Sequence, residues 1–140
     1  FIAASGIYDL ESQYENEKRI GVSQISPLCA ANGFSPENLR RNSPSSLVAS
    51  SPLGLPPVLL LHGGADDITL PKNSEDFYQQ LLQSSQPSMG RLGIQQGRKE
   101  RNIKLEVIEG IEHQEIVLDT CLGGKTQSTI MNWLKSTVRV

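Results

Sequence analysis

The apolar residues of this chain gather in three short runs, each of which predicts a β-strand. Residues 1–7 are apolar and small, and residues 58–61 form an uninterrupted aliphatic run, typical of a parallel strand buried on both faces. Residues 103–108 alternate apolar and charged side chains, which predicts a strand nearer the edge of a sheet. The sequence therefore predicts three strands separated by long connections.

Helix-forming segments lie between and after these runs. Residues 11–19 have Asp9 available as an N-cap and Gly21 as a stop. Helical spacing of apolar side chains predicts helices over residues 73–83 and 126–138. The other predictions are an irregular apolar segment at 20–31, a short helix at 36–41, and a turn with a short helix at 42–47. Because strand and helix alternate in the second half, the predicted fold is α/β, with a mostly parallel sheet and flanking helices.

A polar stretch with several glycines and a basic run interrupts this alternation at residues 84–102. It is too long and too poor in apolar residues for a compact connection between two elements. We therefore predict a solvated, mobile insertion whose charges face water, in preference to a binding segment.

Two of the predicted strands are followed by side chains suited to acid–base chemistry. Asp66 comes shortly after the second strand, and His113 comes shortly after the third. The carboxyl ends of parallel strands meet at one edge of a sheet, so we expect the two side chains to lie close together. A carboxylate that bonds one ring nitrogen leaves the other free to accept a proton, as in a Ser-His-Asp triad. The chain order, acid before histidine, is that of the α/β-hydrolases.

Asp66 is preferred to its neighbour Asp67 as the acid. A turn that leaves the strand through Gly63 and Gly64 can aim the next carboxylate along the sheet edge, while the neighbour caps the following turn. The alternative is that both carboxylates simply cap the helix after Pro71.

His62 begins a His-Gly-Gly sequence, which also marks the oxyanion-hole strand of many esterases. Such a motif precedes a Gly-x-Ser-x-Gly nucleophile elbow, and no elbow follows it here. We therefore predict that His62 is a packed residue at the end of its strand.

A nucleophile is missing from the sequence, because no Gly-x-Ser-x-Gly pattern occurs in its 140 residues. Ser5, Ser26, Ser43 and Ser74 are predicted to form turns and helix caps. An α/β-hydrolase sheet with its helices usually needs more than about 200 residues. We therefore expect residues 1–140 to be the carboxyl-terminal half of one α/β-hydrolase domain, inactive by itself.

Composition and charge argue against several other functions. The net charge of −2, with acidic and basic residues interspersed, provides no basic face for nucleic acid and no polybasic patch for lipid. No metal-ligand or phosphate-loop spacing occurs, so we expect no metal or other cofactor. Cys29 and Cys121 are expected to be unpaired thiols in a reducing compartment, with a disulfide between them as the alternative. The expected location is cytoplasmic or endomembrane-associated.

Four motifs, in order along the chain, carry a resemblance to a known family. They are residues 5–10 (Ser-Gly-Ile-Tyr-Asp-Leu), 38–44 (Asn-Leu-Arg-Arg-Asn-Ser-Pro), 55–66 (Leu-Pro-Pro-Val-Leu-Leu-Leu-His-Gly-Gly-Ala-Asp) and 109–113 (Glu-Gly-Ile-Glu-His). The chain resembles the carboxyl-terminal half of the α/β-hydrolase group that contains isoprenylcysteine methylesterases, kynurenine formamidases and related small-ester carboxylesterases. The Leu-Pro-Pro and Arg-x-Ser-Pro spacings are most similar to the methylesterase branch.

This resemblance implies a serine carboxylesterase with Asp66 as the acid and His113 as the base. Its substrate would be a small ester, for example an isoprenylcysteine methyl ester, and membrane association of the full-length protein stays open. A lipidic substrate would need an apolar pocket, for which Tyr8, Ile25 and Leu28 are the candidates. The alternatives are a formamidase or serine peptidase of the same fold, and a truncated remnant or binding module without activity.

Overall fold

The computed structural model describes residues 1–50, 56–84 and 102–137, in which three parallel strands form one sheet. The strands are β1 (Ile2–Ala4), β2 (Val58–Gly63) and β3 (Ile103–Ile108), in the order β1-β2-β3. Both neighbouring pairs are parallel. The predicted α/β class with a parallel sheet is therefore confirmed.

Seven helices connect and cover these strands within the described residues. Between β1 and β2 lie α1 (Leu10–Ile20), α2 (Pro27–Asn32), α3 (Pro36–Asn42) and α4 (Pro44–Ser50). Then α5 (Pro71–Ser84) precedes β3, and α6 (Glu115–Leu122) and α7 (Lys125–Thr137) follow it. Residues 85–101 of the predicted insertion lie outside the described residues, as does Val138 at the end of the last predicted helix.

The middle strand β2 is buried on both faces because a different set of helices covers each face. Successive side chains of a strand point to opposite faces. Leu60 packs on one face against Phe77 of α5. Leu59 packs on the other face with Ile116 of α6 and Trp133 of α7. Every residue of β2 is buried, which explains why its aliphatic run shows no polar alternation.

The ends of α1 follow the local signals in the sequence. The Asp9 side chain accepts hydrogen bonds from the backbone N–H groups of Glu11 and Ser12, which have no partner inside the helix. Gly21 ends the helix in the left-handed conformation with φ of 80°, which glycine adopts without a steric cost. The predicted helix with its two caps is thus present in the fold.

Two short helices are absent from the sequence-based prediction. The prediction of an irregular segment at 20–31 is wrong for α2, which Ser26 caps and whose Leu28 packs against Leu39. α6 has no side-chain cap, and its Val117 and Leu122 are exposed, so the usual amphipathic spacing is missing. Helices this short depend on tertiary packing more than on intrinsic propensity. The periodicity of the sequence does not reveal such packing.

The described ranges contain two cysteines, but no membrane-spanning helix and no metal-binding cluster. No helix in residues 1–50, 56–84 or 102–137 is long and apolar enough to cross a membrane. Cys29 is buried, Cys121 is exposed, and both are free thiols. Nor does this part of the chain contain a group of three or more His, Cys, Asp or Glu side chains that could hold a metal ion.

We predict that Leu60→Ala lowers the free energy of unfolding by about 2–5 kcal/mol, because truncation leaves a cavity between β2 and α5. Leu82→Ala on α5 is the matched control: Leu82 is 37% exposed, and its truncation should cost less than about 1 kcal/mol. Chemical denaturation followed by circular dichroism measures both values. Equal losses in the two variants would contradict the assignment of Leu60 to the core.

Candidate active site

The candidate site lies where β2 and β3 end side by side. Gly63, the last residue of β2, is in register with Ile108, the last residue of β3. Beyond them, backbone hydrogen bonds join the two loops, from Gly64 N to the Ile108 carbonyl (2.8 Å) and from Ala65 N to the Ile111 carbonyl (3.0 Å). These bonds hold the acid-bearing loop against the histidine-bearing loop.

The two consecutive glycines at the end of β2 differ in the space around them. A Cβ atom on Gly63 would lie 2.2 Å from the Ile111 carbonyl oxygen, so the approach of the two loops requires glycine here. A Cβ atom on Gly64 would lie 3.3 Å from backbone atoms near the end of β3, a tight distance that a small shift can relieve. The close approach of the loops therefore depends on Gly63 far more than on Gly64.

Asp66 and His113 are joined by a hydrogen bond of 2.7 Å between Oδ2 of the carboxylate and Nδ1 of the ring. Asp66 is 3% exposed, and its Oδ1 accepts bonds from the backbone N–H groups of Ile68 (3.1 Å) and Thr69 (2.8 Å). Both oxygens of this buried carboxylate thus have donors, as an ionised group in the interior requires. The structure brings together the two residues that the sequence singles out as acid and base.

The bond to Asp66 also sets the state of the His113 ring. A carboxylate accepts, so Nδ1 carries the proton, and in the neutral ring Nε2 carries the lone pair. The His113 side chain is 31% exposed, and within the described ranges no residue is hydrogen-bonded to Nε2. The ring is therefore arranged to accept a proton from a group that approaches Nε2.

His62 is fully buried at the end of its strand, and both of its ring nitrogens are engaged. Nδ1 lies 2.6 Å from Ser74 Oγ, and Nε2 lies 2.7 Å from the Thr69 carbonyl oxygen. Nε2 is also 3.2 Å from Asp66 Oδ2. Sequence reasoning missed this contact with the acid. The available signal was a polar imidazole at the end of an otherwise apolar, buried strand.

Asp67 lies apart from this network. It is exposed, and its side chain makes no hydrogen bond within the part of the chain that the structure describes. Asp66 binds the N–H groups of Ile68 and Thr69, in the turn that precedes α5, and not those of the first helical turn after Pro71. The alternative in which both carboxylates cap α5 therefore does not describe Asp66.

Three of the four serines named in the sequence make contacts that support the fold. Ser26 caps α2, Ser43 bonds backbone groups of α1 and α3, and Ser74 contacts an imidazole nitrogen. Ser5 follows β1 with a left-handed φ of 44°, and its buried hydroxyl has no partner among the described residues. In that part of the chain no serine hydroxyl is bonded to His113.

The three residues predicted for a substrate pocket lie in different surroundings. Tyr8 is buried, its ring stacks on Phe77 with centroids 4.2 Å apart, and burial raises the pKa of its phenol. Ile25 is 85% exposed between α1 and α2, whereas Leu28 is buried in a core cluster with Leu39. The structure does not gather the three into one apolar pocket, because Leu28 is used to pack α2 against α3.

Comparison with known proteins identifies the fold. No protein-family model and no curated protein matches the sequence. Among solved structures, Pyrococcus horikoshii acylaminoacyl peptidase has a TM-score of 0.63 at 16% identity, over 96% of this chain and 19% of the peptidase. An acylaminoacyl peptidase in complex with Z-Gly-Gly-Phe-chloromethyl ketone gives the same values. A Mycobacterium tuberculosis puromycin-hydrolyzing peptidase gives 0.51 at 24% identity, over 80% of this chain and 14% of that protein.

The chain has part of an α/β-hydrolase fold. The fold class predicted from the strand pattern and the acid–histidine order is thereby confirmed. The chain spans less than a fifth of the length of these solved structures. At this level of identity the likeness shows the fold alone. The resemblance to methylesterases and formamidases stays a prediction.

We predict that Gly63→Ala separates the two loops and breaks the hydrogen bond between Asp66 and His113. The added Cβ would overlap the Ile111 carbonyl, at a cost of about 1–3 kcal/mol in the free energy of unfolding. Gly64→Ala is the matched control and should keep the bond. The downfield proton signal of His113 Nδ1–H in an NMR spectrum reports on it. If both variants retain that signal equally, the close approach at Gly63 does not control the site.

Proposed function

We propose that Asp66 and His113 are the acid and base of a hydrolase that cleaves carboxylic esters through a serine acyl-enzyme. The observation that carries this proposal is the 2.7 Å bond between a buried carboxylate and a partly exposed imidazole. Both side chains follow the carboxyl ends of adjacent parallel strands, where α/β-folds place their reactive groups. The pair supplies two of the three groups of a Ser-His-Asp triad.

Each residue has a defined step in this reaction. His113 Nε2 takes the proton of the nucleophilic hydroxyl as that oxygen attacks the ester carbonyl, and it then returns the proton to the leaving alcohol. Asp66 stays ionised and stabilises the imidazolium, and its burial protects the interaction from screening by water. In the second step of the reaction, deacylation, His113 deprotonates the water that hydrolyses the acyl-enzyme.

The nucleophile of this proposal lies outside the 140 residues. They contain no Gly-x-Ser-x-Gly sequence, and they correspond to 19% of the acylaminoacyl peptidase. Within the described residues β1 pairs only with β2, so its other edge offers unpaired backbone groups to a further strand. A serine at the carboxyl end of an added parallel strand would reach the same sheet edge as His113.

Two substrate classes are compatible with the same acid and base. The motif resemblance to methylesterases favours a small carboxylic ester, such as an isoprenylcysteine methyl ester. A peptide or amide bond is the second candidate, because the solved structures with this fold include acylaminoacyl and puromycin-hydrolyzing peptidases. Methyl esters, aryl formamides and aminoacyl amides, tested with the full-length protein, separate them. The highest kcat/KM on the esters supports the first candidate, and the highest on the amides supports the second.

We predict that Asp66→Asn in the full-length protein lowers kcat by about four orders of magnitude, because the amide no longer fixes and stabilises the protonated form of His113. Asp67→Asn is the matched control, and its kcat should change little because Asp67 is exposed. Steady-state kinetics on the best substrate of the panel measure both. Equal losses for the two variants would show that the acid is wrongly assigned.

We also predict that residues 1–140 alone neither hydrolyse the panel nor react with a fluorophosphonate probe, whereas the full-length protein does both. The reason is that the chain holds the proposed base and acid without the proposed nucleophile. Activity in the isolated chain would contradict the placement of the nucleophile elsewhere. A folded full-length protein without activity or labelling would favour an inactive remnant or a binding module.

A further inference from the structure

We infer that His62 is a positioning residue, a second and fully buried imidazole that holds the Asp66 carboxylate in place for His113. It touches Asp66 on the same oxygen, Oδ2, that bonds His113. The catalytic role that this inference gives to His62 rests on the proposed function. The contacts that carry it lie within the described residues, and they can be tested without any assay of hydrolysis.

The partners of His62 determine which of its nitrogens carries the proton. The Thr69 carbonyl oxygen can only accept, so the Nε2 atom 2.7 Å away must be a donor. Ser74 Oγ, 2.6 Å from Nδ1, can donate its hydroxyl proton, so Nδ1 is the acceptor of a neutral ring. This Nε2–H tautomer satisfies both nitrogens in a site that water does not reach.

That tautomer directs positive charge density towards the acid. The Nε2–H group bonds the Thr69 carbonyl, and Asp66 Oδ2 lies 3.2 Å from the same nitrogen. With the opposite tautomer, the lone pair of Nε2 would face both the carbonyl and the carboxylate, which is repulsive. A neutral imidazole therefore stabilises the ionised carboxylate without competing with His113 for the role of base.

His62 also fixes the loop that carries the acid. Thr69 donates its backbone N–H to Asp66 Oδ1, and its carbonyl accepts from His62. The strand end, the acid and the following turn are thus closed into one hydrogen-bonded ring. Because Ser74 belongs to α5, the first turns of that helix are tied to the same ring.

A purely space-filling role would not require this chemistry. The other strand positions of β2 before Gly63 are apolar, and placing an imidazole among them costs free energy unless both nitrogens are bonded. The fold supplies a fully buried hydroxyl, Ser74, for one nitrogen and a carbonyl for the other. An apolar side chain at position 62 would fill the space without holding Thr69 or Asp66.

The sequence makes a direct test simple, because the chain contains only two histidines, His62 and His113. Selective ¹⁵N labelling of histidine in the 140-residue chain gives an imidazole NMR spectrum of four nitrogens, which a His113→Gln variant assigns. In the unmodified chain we expect His62 to be protonated at Nε2 and unprotonated at Nδ1. A His62 ring protonated at Nδ1 alone would overturn the inference without recourse to any further variant.

Two variants then test whether His62 positions Asp66. His62→Phe fills the space but has no donor, and we expect the His113 Nδ1–H signal to be lost. His62→Gln places an amide N–H near the former Nε2, and we expect the signal to be retained. A folded His62→Phe chain that keeps the signal would overturn the inference, as would a folded His62→Gln chain that loses it. If His62→Phe does not fold, the observed tautomer of His62 and the result for His62→Gln still decide whether the inference holds.

The same variants in the full-length protein connect the contact to catalysis. His62→Phe should lower kcat by about a hundredfold with little change in KM, since a small misplacement of the acid acts on the reaction and not on substrate binding. His62→Gln should recover most of kcat. An unchanged kcat in His62→Phe would overturn the catalytic role. A full-length protein without any hydrolase activity would overturn the proposed function, while the NMR result would still stand.

Discussion

The close parallel approach of β2 and β3 is the constraint on which the rest of the site depends. The two strands end in register at Gly63 and Ile108, and the loops beyond them are bonded backbone to backbone. That approach is possible because position 63 has no side chain to meet the Ile111 carbonyl. Once the loops are joined, Asp66 and His113 lie within a hydrogen bond of each other. The contact between Asp66 and His113 is therefore a consequence of sheet register and of one missing Cβ, more than of any contact made by the helices.

The burial of Asp66 gives this pair its chemical character. A carboxylate removed from water is unfavourable unless donors surround it, and here two backbone N–H groups and His113 donate hydrogen bonds to it, with His62 Nε2 3.2 Å from its Oδ2. The groups around the carboxylate differ in exposure: His62 is fully buried, whereas the His113 side chain is partly exposed. The backbone donors define where the charge sits, and His113 can bind a proton on its outer nitrogen without disturbing them. In the proposed reaction, one set of donors would orient the acid while His113 transfers the proton.

Sequence reasoning succeeded where the physical signal is local or periodic. The caps at Asp9 and Gly21 and the aliphatic run of β2 each follow from residues close together in the chain. Asp66 and His113 are far apart in the chain, but each directly follows a strand, so the parallel sheet brings them together. It failed where the deciding contact depends on how short helices pack and how loops fold. α2 and α6 are short helices whose place depends on packing, and Leu28, which the sequence predicts to line a substrate pocket, fills the core beside Leu39. The contact of His62 with Asp66 was missed because it depends on a loop that folds back over its own strand.

The proposed acid and base are oriented by a small part of the fold, although the sequence contains no Gly-x-Ser-x-Gly pattern. Within the described residues, the donors to Asp66 are the N–H groups of Ile68 and Thr69 and the ring of His113, all of which lie in the loops after β2 and β3. In the part of the chain that the structure describes, His113 Nε2 has no hydrogen-bond partner, and β1 and β3 each have an unpaired outer edge. In a parallel sheet, a strand added at the outer edge of β1 ends at the same rim as β2 and β3. A nucleophile delivered in this way would meet a base whose orientation is already established, so the added segment would need to supply position and an oxyanion site, but no further acid–base group.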